Sequence, residues 1–225
     1  MDKKFYNEPS LFTPENLLRE ARRQKNLKDC KVPEFCVLDP DGDLVEYLIR
    51  TGKAEINQCW ACYHTKLFSV TQNGFQFAVV GCGVGASFAV LIAEQLFASG
   101  CEMLISVTSA GMINPTKKNS KFVLIEEALR DEGTSYHYLP PSDKSVINPV
   151  LLESLTSFYS SASLSIETGK SWTTDAPYRE TQNAIDEAQK LNVVCVEMEA
   201  VALYAFAKAR NKNVICFAHL TNTMA

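Results

Sequence analysis

The sequence lacks the features of a membrane, secreted or nucleic-acid-binding protein. Its apolar stretches are broken well short of the ~20 residues that a membrane span needs. Its polar N-terminal segment does not resemble a signal peptide. Acidic residues outnumber basic ones, 26 against 22, so charge gives no reason to expect nucleic acid or an anionic membrane as a partner. We therefore expect a cytoplasmic protein that acts on small molecules.

Histidine is scarce, and the cysteines are poorly placed for a metal site. Only three histidines are present, and no second pair accompanies Cys59 and Cys62 of CWAC, which have metal-ligand spacing. A structural zinc site wants four ligands, so we expect no metal. Most of the eight cysteines lie in apolar, strand-like runs, where a reduced thiol packs as a small hydrophobe.

The spacing of a dinucleotide-binding site is also missing. Gly81, Gly83 and Gly85 in VVGCGVGAS do not match G-x-G-x-x-G, and no acid ends the following strand, SVTSAG. The glycines still lie where a strand turns into a helix, so backbone amides could approach a polar or anionic ligand. A tight turn without a ligand would use the same glycines. Gly83 is nevertheless a candidate substrate-binding residue.

Apolar periodicity that switches repeatedly predicts mixed helices and strands. Residues 75–111 predict a strand, a glycine-rich turn, a helix and a second strand, which is a βαβ unit with parallel strands. Other predicted elements are strand FCVLD, helix DLVEYLIRT, a hairpin turn at Asn73-Gly74, strand KFVLIEEAL, a long irregular loop over 131–148, helices around 149–160, 181–191 and 199–210, and strands near 163–168, 193–196 and 214–220. We expect an α/β fold, a single-domain three-layer sandwich whose mixed, partly parallel central sheet is flanked by helices. It occupies residues 35–225, after an N-terminal helical extension over 1–34.

Two acids stand in an apolar stretch, VVCVEMEAVALYAFAKA, at residues 193–209. Glu197 and Glu199 flank Met198 where a strand becomes a helix, at the edge where open α/β sheets bind ligands. Burying unpaired carboxylates is costly, and pairing with a cation or the helix dipole explains one acid better than two. Vicinal hydroxyls of a sugar would satisfy such a carboxylate by donating two hydrogen bonds. The pair therefore predicts a ribose site.

Polar residues end two other strands at this edge. Thr108 and Ser109 close the strand VTSAG, and Thr221 and Asn222 end the last strand. Hydroxyls and small residues fit a pocket floor, although turn-forming residues at a strand end look the same. An amide such as that of Asn222 both donates and accepts, so it reads nucleobase edges well.

From about Phe35 to Ala225 the sequence resembles the nucleoside phosphorylase family, which includes purine nucleoside phosphorylases, uridine phosphorylases and related nucleosidases. The resemblance is carried by the glycine-rich turn, the SAG strand end, RDEGTSYHY, GKSWTTDAPYRET, VEMEA and the final strand. It implies that Glu199 binds the ribose hydroxyls, with Glu197 and Met198 beside the sugar. It also implies that Ser109 contacts phosphate or ribose and that Trp172 flanks the base.

The same resemblance bears on the nucleobase. Asn222 matches the position at which purine phosphorylases carry an acid that protonates the leaving purine, and asparagine there is closer to the uridine-type pattern. Arg179 could supply a cation to a pyrimidine carbonyl. A surface ion pair between Arg179 and Asp175 is an equally good interpretation of that arginine.

The sequence departs from the family pattern where phosphate would bind. Family phosphorylases carry Gly-Asp-Pro-x-Arg in the first loop, whereas this chain has LDPDGDL, with Asp43 and no arginine. A second family arginine is replaced by Ser106, and Arg130 is a conceivable substitute. Family members also continue past the last strand into another helix, whereas this sequence stops at Ala225, so we expect the domain to lack that helix.

These observations lead to one main expectation and two alternatives. The main one is phosphate-dependent cleavage of the N-glycosidic bond of a nucleoside, with Glu199 and Asn222 as catalytic residues, phosphate as co-substrate and no metal or organic cofactor. The base stays open between purine and pyrimidine, with the asparagine closer to the uridine-type pattern. The missing arginines would also suit a nucleosidase that uses water, or a nucleoside-binding homologue without turnover. The resemblance further implies a homo-oligomer, a dimer or a hexamer.

Overall fold

The structure is a computed structural model of the chain and describes residues 4–116, 120–162 and 166–223. Its α-helices are α1 (Pro14–Lys25), α2 (Asp43–Arg50), α3 (Ala86–Ala98), α4 (Pro149–Ser161), α5 (Gln182–Lys190) and α6 (Ala200–Arg210). Its strands are β1 (Phe35–Asp39), β2 (Ala54–Ile56), β3 (Leu67–Gln72), β4 (Phe75–Gly81), β5 (Met103–Met112), β6 (Phe122–Asp131), β7 (Lys144–Val146), β8 (Ile166–Thr174), β9 (Val193–Glu197) and β10 (Asn213–Thr223). None of these helices has both the length and the apolarity to cross a membrane.

The strands form one mixed sheet, which confirms the expected fold class. The order is β10-β6-β8-β9-β5-β1-β4-β3-β2, with β7 beside β6. Strand β10 also pairs with β5, so β5, β10, β6, β8 and β9 close into a ring. Strands β4, β1, β5 and β10 run parallel to one another, so their carboxyl ends lie at the same edge of the sheet. That edge carries Ser109, Asn222 and the glycine-rich turn, but not Trp172 or Arg179.

Helices cover both faces of the sheet, as expected for three layers. Helices α3 and α6 pack on one face, in a core that includes Ala78 and Val80 of β4. Val79, which points to the opposite face, packs with Val45 and Leu48 of α2 instead. Because α6 lies within the larger core, residues 200–207 are all buried. This explains the apolar stretch that follows the two acids.

Several sequence expectations need revision. The stretch 131–148 is not wholly irregular, since it contains a short 3-10 helix (Ser135–His137) and strand β7. Edge strand β2 has only three residues and was not predicted. The strand expected near 163–168 runs as β8 from Ile166 to Thr174, and residues 163–165 lie outside the described chain.

One pair of cysteines outside the apolar runs forms a disulfide, which the sequence did not predict. Cys30 and Cys59 form a disulfide that joins the loop after α1 to the loop after β2. Neither cysteine lies in a strand, and the two loops meet because α1 docks there, with Lys25 Nζ donating to the carbonyl of Cys62 at 2.6 Å. The other six cysteines are free, five of them buried, as the apolar runs predict.

Candidate active site

Glu199 is buried at the edge where β5, the glycine-rich turn and α6 meet. Its side chain is 1% exposed. The backbone N–H of Gly85 donates to Oε1 at 2.7 Å, and the hydroxyl of Thr108 donates to Oε2 at 3.0 Å. An ionised carboxylate can accept about four hydrogen bonds. Glu199 therefore has capacity left for a ligand.

Glu197 has a different environment two residues away. Its Oε1 accepts from the hydroxyls of Ser171 and Thr173, and its Oε2 accepts from the backbone N–H groups of Glu199 and Ala200, both at 2.7 Å. The last two groups are unpaired donors at the start of α6, so Glu197 acts as a cap for that helix. All four acceptor positions of this carboxylate are used within the chain.

The premise that both acids need a sugar to compensate them is therefore wrong. Neutral donors of the protein already satisfy Glu197 fully and Glu199 in part. Among the described residues, no cation forms a salt bridge with either acid. The role of Glu197, Met198 and Glu199 in binding substrate stays a prediction, and Glu199 is the acid of the pair with free acceptor positions.

Burial and mutual repulsion shift the titration of both acids. Burial raises the pKa of Glu199 to about 7, and the charge of Glu197 adds to the rise, while bonds from Gly85 and Thr108 oppose it. Burial likewise raises the pKa of Glu197 above its ordinary range, against the hydrogen bonds it accepts. Two carboxylates this close disfavour simultaneous ionisation. Glu199 thus changes charge near neutral pH.

The glycine-rich turn positions a donor for Glu199. Gly85 has φ +94°, which L side chains rarely adopt, and this conformation directs its N–H at the carboxylate just before α3 begins. Gly83 serves packing, because a Cβ there would lie 2.8 Å from Ile92 Cδ1 and 3.0 Å from Leu38 Cδ1. The glycine spacing thus has a structural cause at Gly83, and the substrate role of Gly83 stays a prediction.

A carboxylate lies where the resemblance suggests a phosphate or ribose contact. The backbone N–H of Ser109 donates to Asp41 Oδ2 at 2.7 Å. Asp41 is exposed on the loop between β1 and α2. The amide of Ser109 is therefore engaged by an anionic side chain of the chain itself.

Asn222 and Thr221 lie at the end of β10, beside the same edge. Asn222 pairs with Gly111 of β5 after a bulge that follows Leu220. Both side chains are exposed, and the hydroxyl of Thr221 donates to Asn222 Oδ1 at 3.1 Å. The strand order brings them to the edge that carries Ser109, and their contact with a nucleobase stays a prediction.

Trp172 lies in the core. Its indole is 6% exposed, packs with Ile185 and Val196, and donates from Nε1 to Asp131 Oδ2 at 3.0 Å. These contacts account for the tryptophan without a ligand. Its role beside the base stays a prediction.

Neither candidate arginine contacts the acid pair. Arg179 is exposed in a short 3-10 helix, and Asp175 accepts from the N–H of Gly133. No salt bridge joins Arg179 to Asp175 among the described residues. Arg130 is 8% exposed and donates to acceptors of the loop over 131–148: the hydroxyls of Ser135 and Ser142 and the carbonyls of Leu139 and Pro140. Arg130 therefore holds that loop together, and this structural role accounts for the arginine at the start of RDEGTSYHY.

No metal centre forms in the described part of the chain, where no group of three potential ligands comes together. A cavity of about 550 Å³ lies elsewhere, between the N-terminal extension and the C-terminal half of α3. It is lined in part by Leu91 and Arg210, whereas the acid pair lies at the N-terminal ends of α3 and α6.

The sequence predicted no role for Asp41, and for Thr108 it predicted only a place in a pocket floor. A polar residue after β1 at the binding edge was the available signal for Asp41. For Thr108, the signal was a buried hydroxyl one residue before Ser109. Their partners could not be read from the sequence, since Ser109 lies 68 residues from Asp41 and Glu199 lies 91 residues from Thr108.

Comparison with known proteins defines the class of protein that this fold and site represent. Residues 34–225 match the Phosphorylase superfamily, and the chain belongs to that family.

Individual relatives are distant. The chain is 23% identical over 145 residues to a guanosine phosphorylase of Halorubrum lacusprofundi, an alignment that covers 64% of this chain and 60% of that protein. It is 25% identical over 190 residues to a uridine phosphorylase of Thermococcus kodakarensis, covering 74% and 69%. Among solved structures, a uridine phosphorylase of Vibrio fischeri superposes with a TM-score of 0.73 at 19% identity, covering 87% of this chain and 82% of that one. The chain thus spans about three fifths of the first relative's length, and the last likeness establishes the fold alone.

Proposed function

We propose that this protein cleaves the N-glycosidic bond of a nucleoside, with phosphate as the acceptor, to give a free base and a pentose 1-phosphate. Family membership supports the reaction class, and relatives named for both guanosine and uridine leave the base open. The observation that carries the proposal is the buried Glu199 carboxylate, whose two oxygens accept from Gly85 and Thr108 and still have room to accept from ribose hydroxyls.

In this reaction the sugar develops positive charge as its bond to the base breaks. An ionised Glu199 beside the ribose would orient the sugar and favour that charge in the transition state. Phosphate oxygen forms a bond to the anomeric carbon, and the departing base keeps the electron pair of the broken bond. Asn222 would stabilise that base by hydrogen bonds, and Arg179 would do so if its loop closes on a pyrimidine carbonyl. We favour a pyrimidine because Asn222 replaces an acid.

A second candidate is hydrolysis of the same bond, with water as the acceptor. Asp41 favours it, because a carboxylate on the amide of Ser109 repels phosphate, which carries about two negative charges. Arg130 does not compensate, since its guanidinium is committed to the loop over 131–148. A third possibility is a homologue that binds nucleosides without turning them over.

One assay distinguishes these functions. The protein, freed of phosphate, is incubated with uridine, cytidine, adenosine, guanosine and inosine, each with and without added phosphate, and base release is followed by chromatography. Release that requires phosphate supports phosphorolysis. Equal release without phosphate supports hydrolysis, and saturable nucleoside binding without release supports a binding homologue. If the protein neither releases a base nor binds a nucleoside, the proposal is contradicted.

The remaining expectations are part of the same proposal. No metal or organic cofactor is needed for this chemistry, and the partners are the nucleoside and phosphate. We also propose a homo-oligomer, which sedimentation of the purified protein tests.

A further inference from the structure

Thr108 is the side chain that completes the environment of Glu199. It lies on β5, is 5% exposed, and its hydroxyl is 3.0 Å from Glu199 Oε2. The same hydroxyl is 3.3 Å from the carbonyl oxygen of Ser109. A hydroxyl has one proton to donate, so it can bond only one of these acceptors at a time.

The two oxygens of Glu199 are held differently. Oε1 is fixed by a backbone N–H, that of Gly85, which cannot turn away without moving the start of α3. Oε2 is held by a rotatable hydroxyl that has a second acceptor within reach. Only the bond to Oε2 can therefore be exchanged for a ligand hydroxyl without a change in the backbone.

We propose that Thr108 is a positioning residue, which holds the Glu199 carboxylate in place through Oε2 when no sugar is bound and yields Oε2 to the sugar by turning its hydroxyl to the carbonyl of Ser109. This inference rests on the proposed function, because it takes Glu199 as the sugar ligand. Replacing one donor by another leaves the carboxylate satisfied at each stage, which avoids the cost of an unpaired buried charge. Glu197 helps to fix the position of Glu199, because its carboxylate accepts a hydrogen bond from the backbone N–H of Glu199.

Charges around Glu199 make this donor important. The titratable groups that face it are Glu197 from β9 and the thiol of Cys216 from β10, and the first turn of α3 has no charged residue. Asp41, on the loop after β1, bonds to the amide next to Thr108 and adds negative charge to the same edge. No cation forms a salt bridge with Glu199 in the described chain, so neutral donors alone favour its ionised form.

The test compares Thr108→Val, which keeps the shape but removes the donor, with Thr108→Ser, which keeps the donor. For Thr108→Val we expect the midpoint of the acidic limb of kcat/KM, near pH 7 in the parent protein, to move up by about one unit. We also expect the nucleoside KM to rise about fivefold at pH 7, because the ionised fraction of Glu199 falls from about one half to about one eleventh, with kcat at high pH within about twofold of the parent. Thr108→Ser should leave the midpoint of the acidic limb and the nucleoside KM at their parent values. A purely structural role would lower kcat at every pH and leave the limb in place.

A second measurement keeps the inference separate from the proposed function. Carbon-13 NMR of glutamate carboxyls, titrated in the ligand-free protein and assigned with Glu199→Gln, reads the ionisation of Glu199 directly. An upward shift in Thr108→Val but not in Thr108→Ser supports the positioning role even if no nucleoside is cleaved. If nucleosides are cleaved and Thr108→Val leaves both the limb and the NMR titration unchanged, the inference fails while the proposed function stands.

Discussion

The sugar side and the acceptor side of the candidate site share one edge of the sheet but differ in how they treat negative charge. On the sugar side, Glu199 is buried and two donors leave part of its carboxylate open. On the acceptor side, Asp41 is exposed and its carboxylate already occupies the amide of Ser109. The sugar side thus offers acceptors to hydroxyl groups, whereas among the described residues neither candidate arginine reaches the acceptor side to hold phosphate. The contrast teaches that a buried carboxylate with neutral donors and an exposed carboxylate on a backbone amide can lie at one sheet edge and favour different ligand groups.

The largest expected effect is on the sugar side. Glu199→Gln should lower kcat/KM by about 10²-fold or more, because the amide carries no charge to favour the cationic transition state and brings an N–H₂ group against existing donors. Steady-state kinetics measures this, with urea unfolding as the control. Unaltered kinetics would remove Glu199 from the catalytic residues.

Glu197→Gln should lower the stability of the protein more than it lowers kcat/KM, the reverse of what is expected for Glu199→Gln. Its carboxylate accepts four hydrogen bonds, two of them from the start of α6, and an amide nitrogen cannot accept. We expect the free energy of unfolding to fall by about 2 kcal/mol. Urea denaturation at pH 7 measures it. A variant as stable as the parent would show that the cap contributes nothing.

Stability should also depend on pH through Glu199. Its folded pKa of about 7 lies above its ordinary value of 4.5, so the folded state binds the proton more tightly. The stabilising contribution is therefore full below about pH 4.5 and is lost as pH rises through 7. Between pH 5 and about pH 8, we expect the free energy of unfolding to fall less steeply with pH in Glu199→Gln than in the parent protein. Parallel curves for variant and parent would contradict the assigned shift.

A smaller effect is expected on the acceptor side. Asp41→Asn removes a negative charge beside the amide of Ser109, so the KM for phosphate should fall about fivefold. Asp43→Asn, on the same exposed loop-to-helix junction, is the matched control and should change it little. If Asp41→Asn instead abolishes phosphate-independent release, water is the acceptor and the phosphorolysis proposal is withdrawn.

Local signals predicted most of the fold. Asn73 and Gly74 both have positive φ in the predicted hairpin turn, and β9 gives way to α6 at the two acids, as the change of periodicity indicated. Short or distant features were not predictable. Strand β2 has three residues, and the disulfide joins cysteines 29 positions apart whose loops meet only after α1 docks.

The candidate site was predictable in position but not in its internal bonds. Placing Glu199 at the carboxyl edge follows from the strand-to-helix change alone. Its donors, however, come from Gly85 and Thr108, 114 and 91 residues earlier in the chain. Because those donors were unknown, the need for a ligand to satisfy both acids was overstated.

The central claim is that Glu199 binds the vicinal hydroxyls of a ribose. Isothermal titration calorimetry with the nucleoside that binds best, and with its 2′,3′-dideoxy analogue, tests it most directly. We predict that the analogue binds at least about tenfold more weakly to the parent protein, since the free acceptor positions of Glu199 then stay unpaired. We predict that the difference shrinks in Glu199→Gln. Equal affinity of the parent protein for both molecules would contradict the claim.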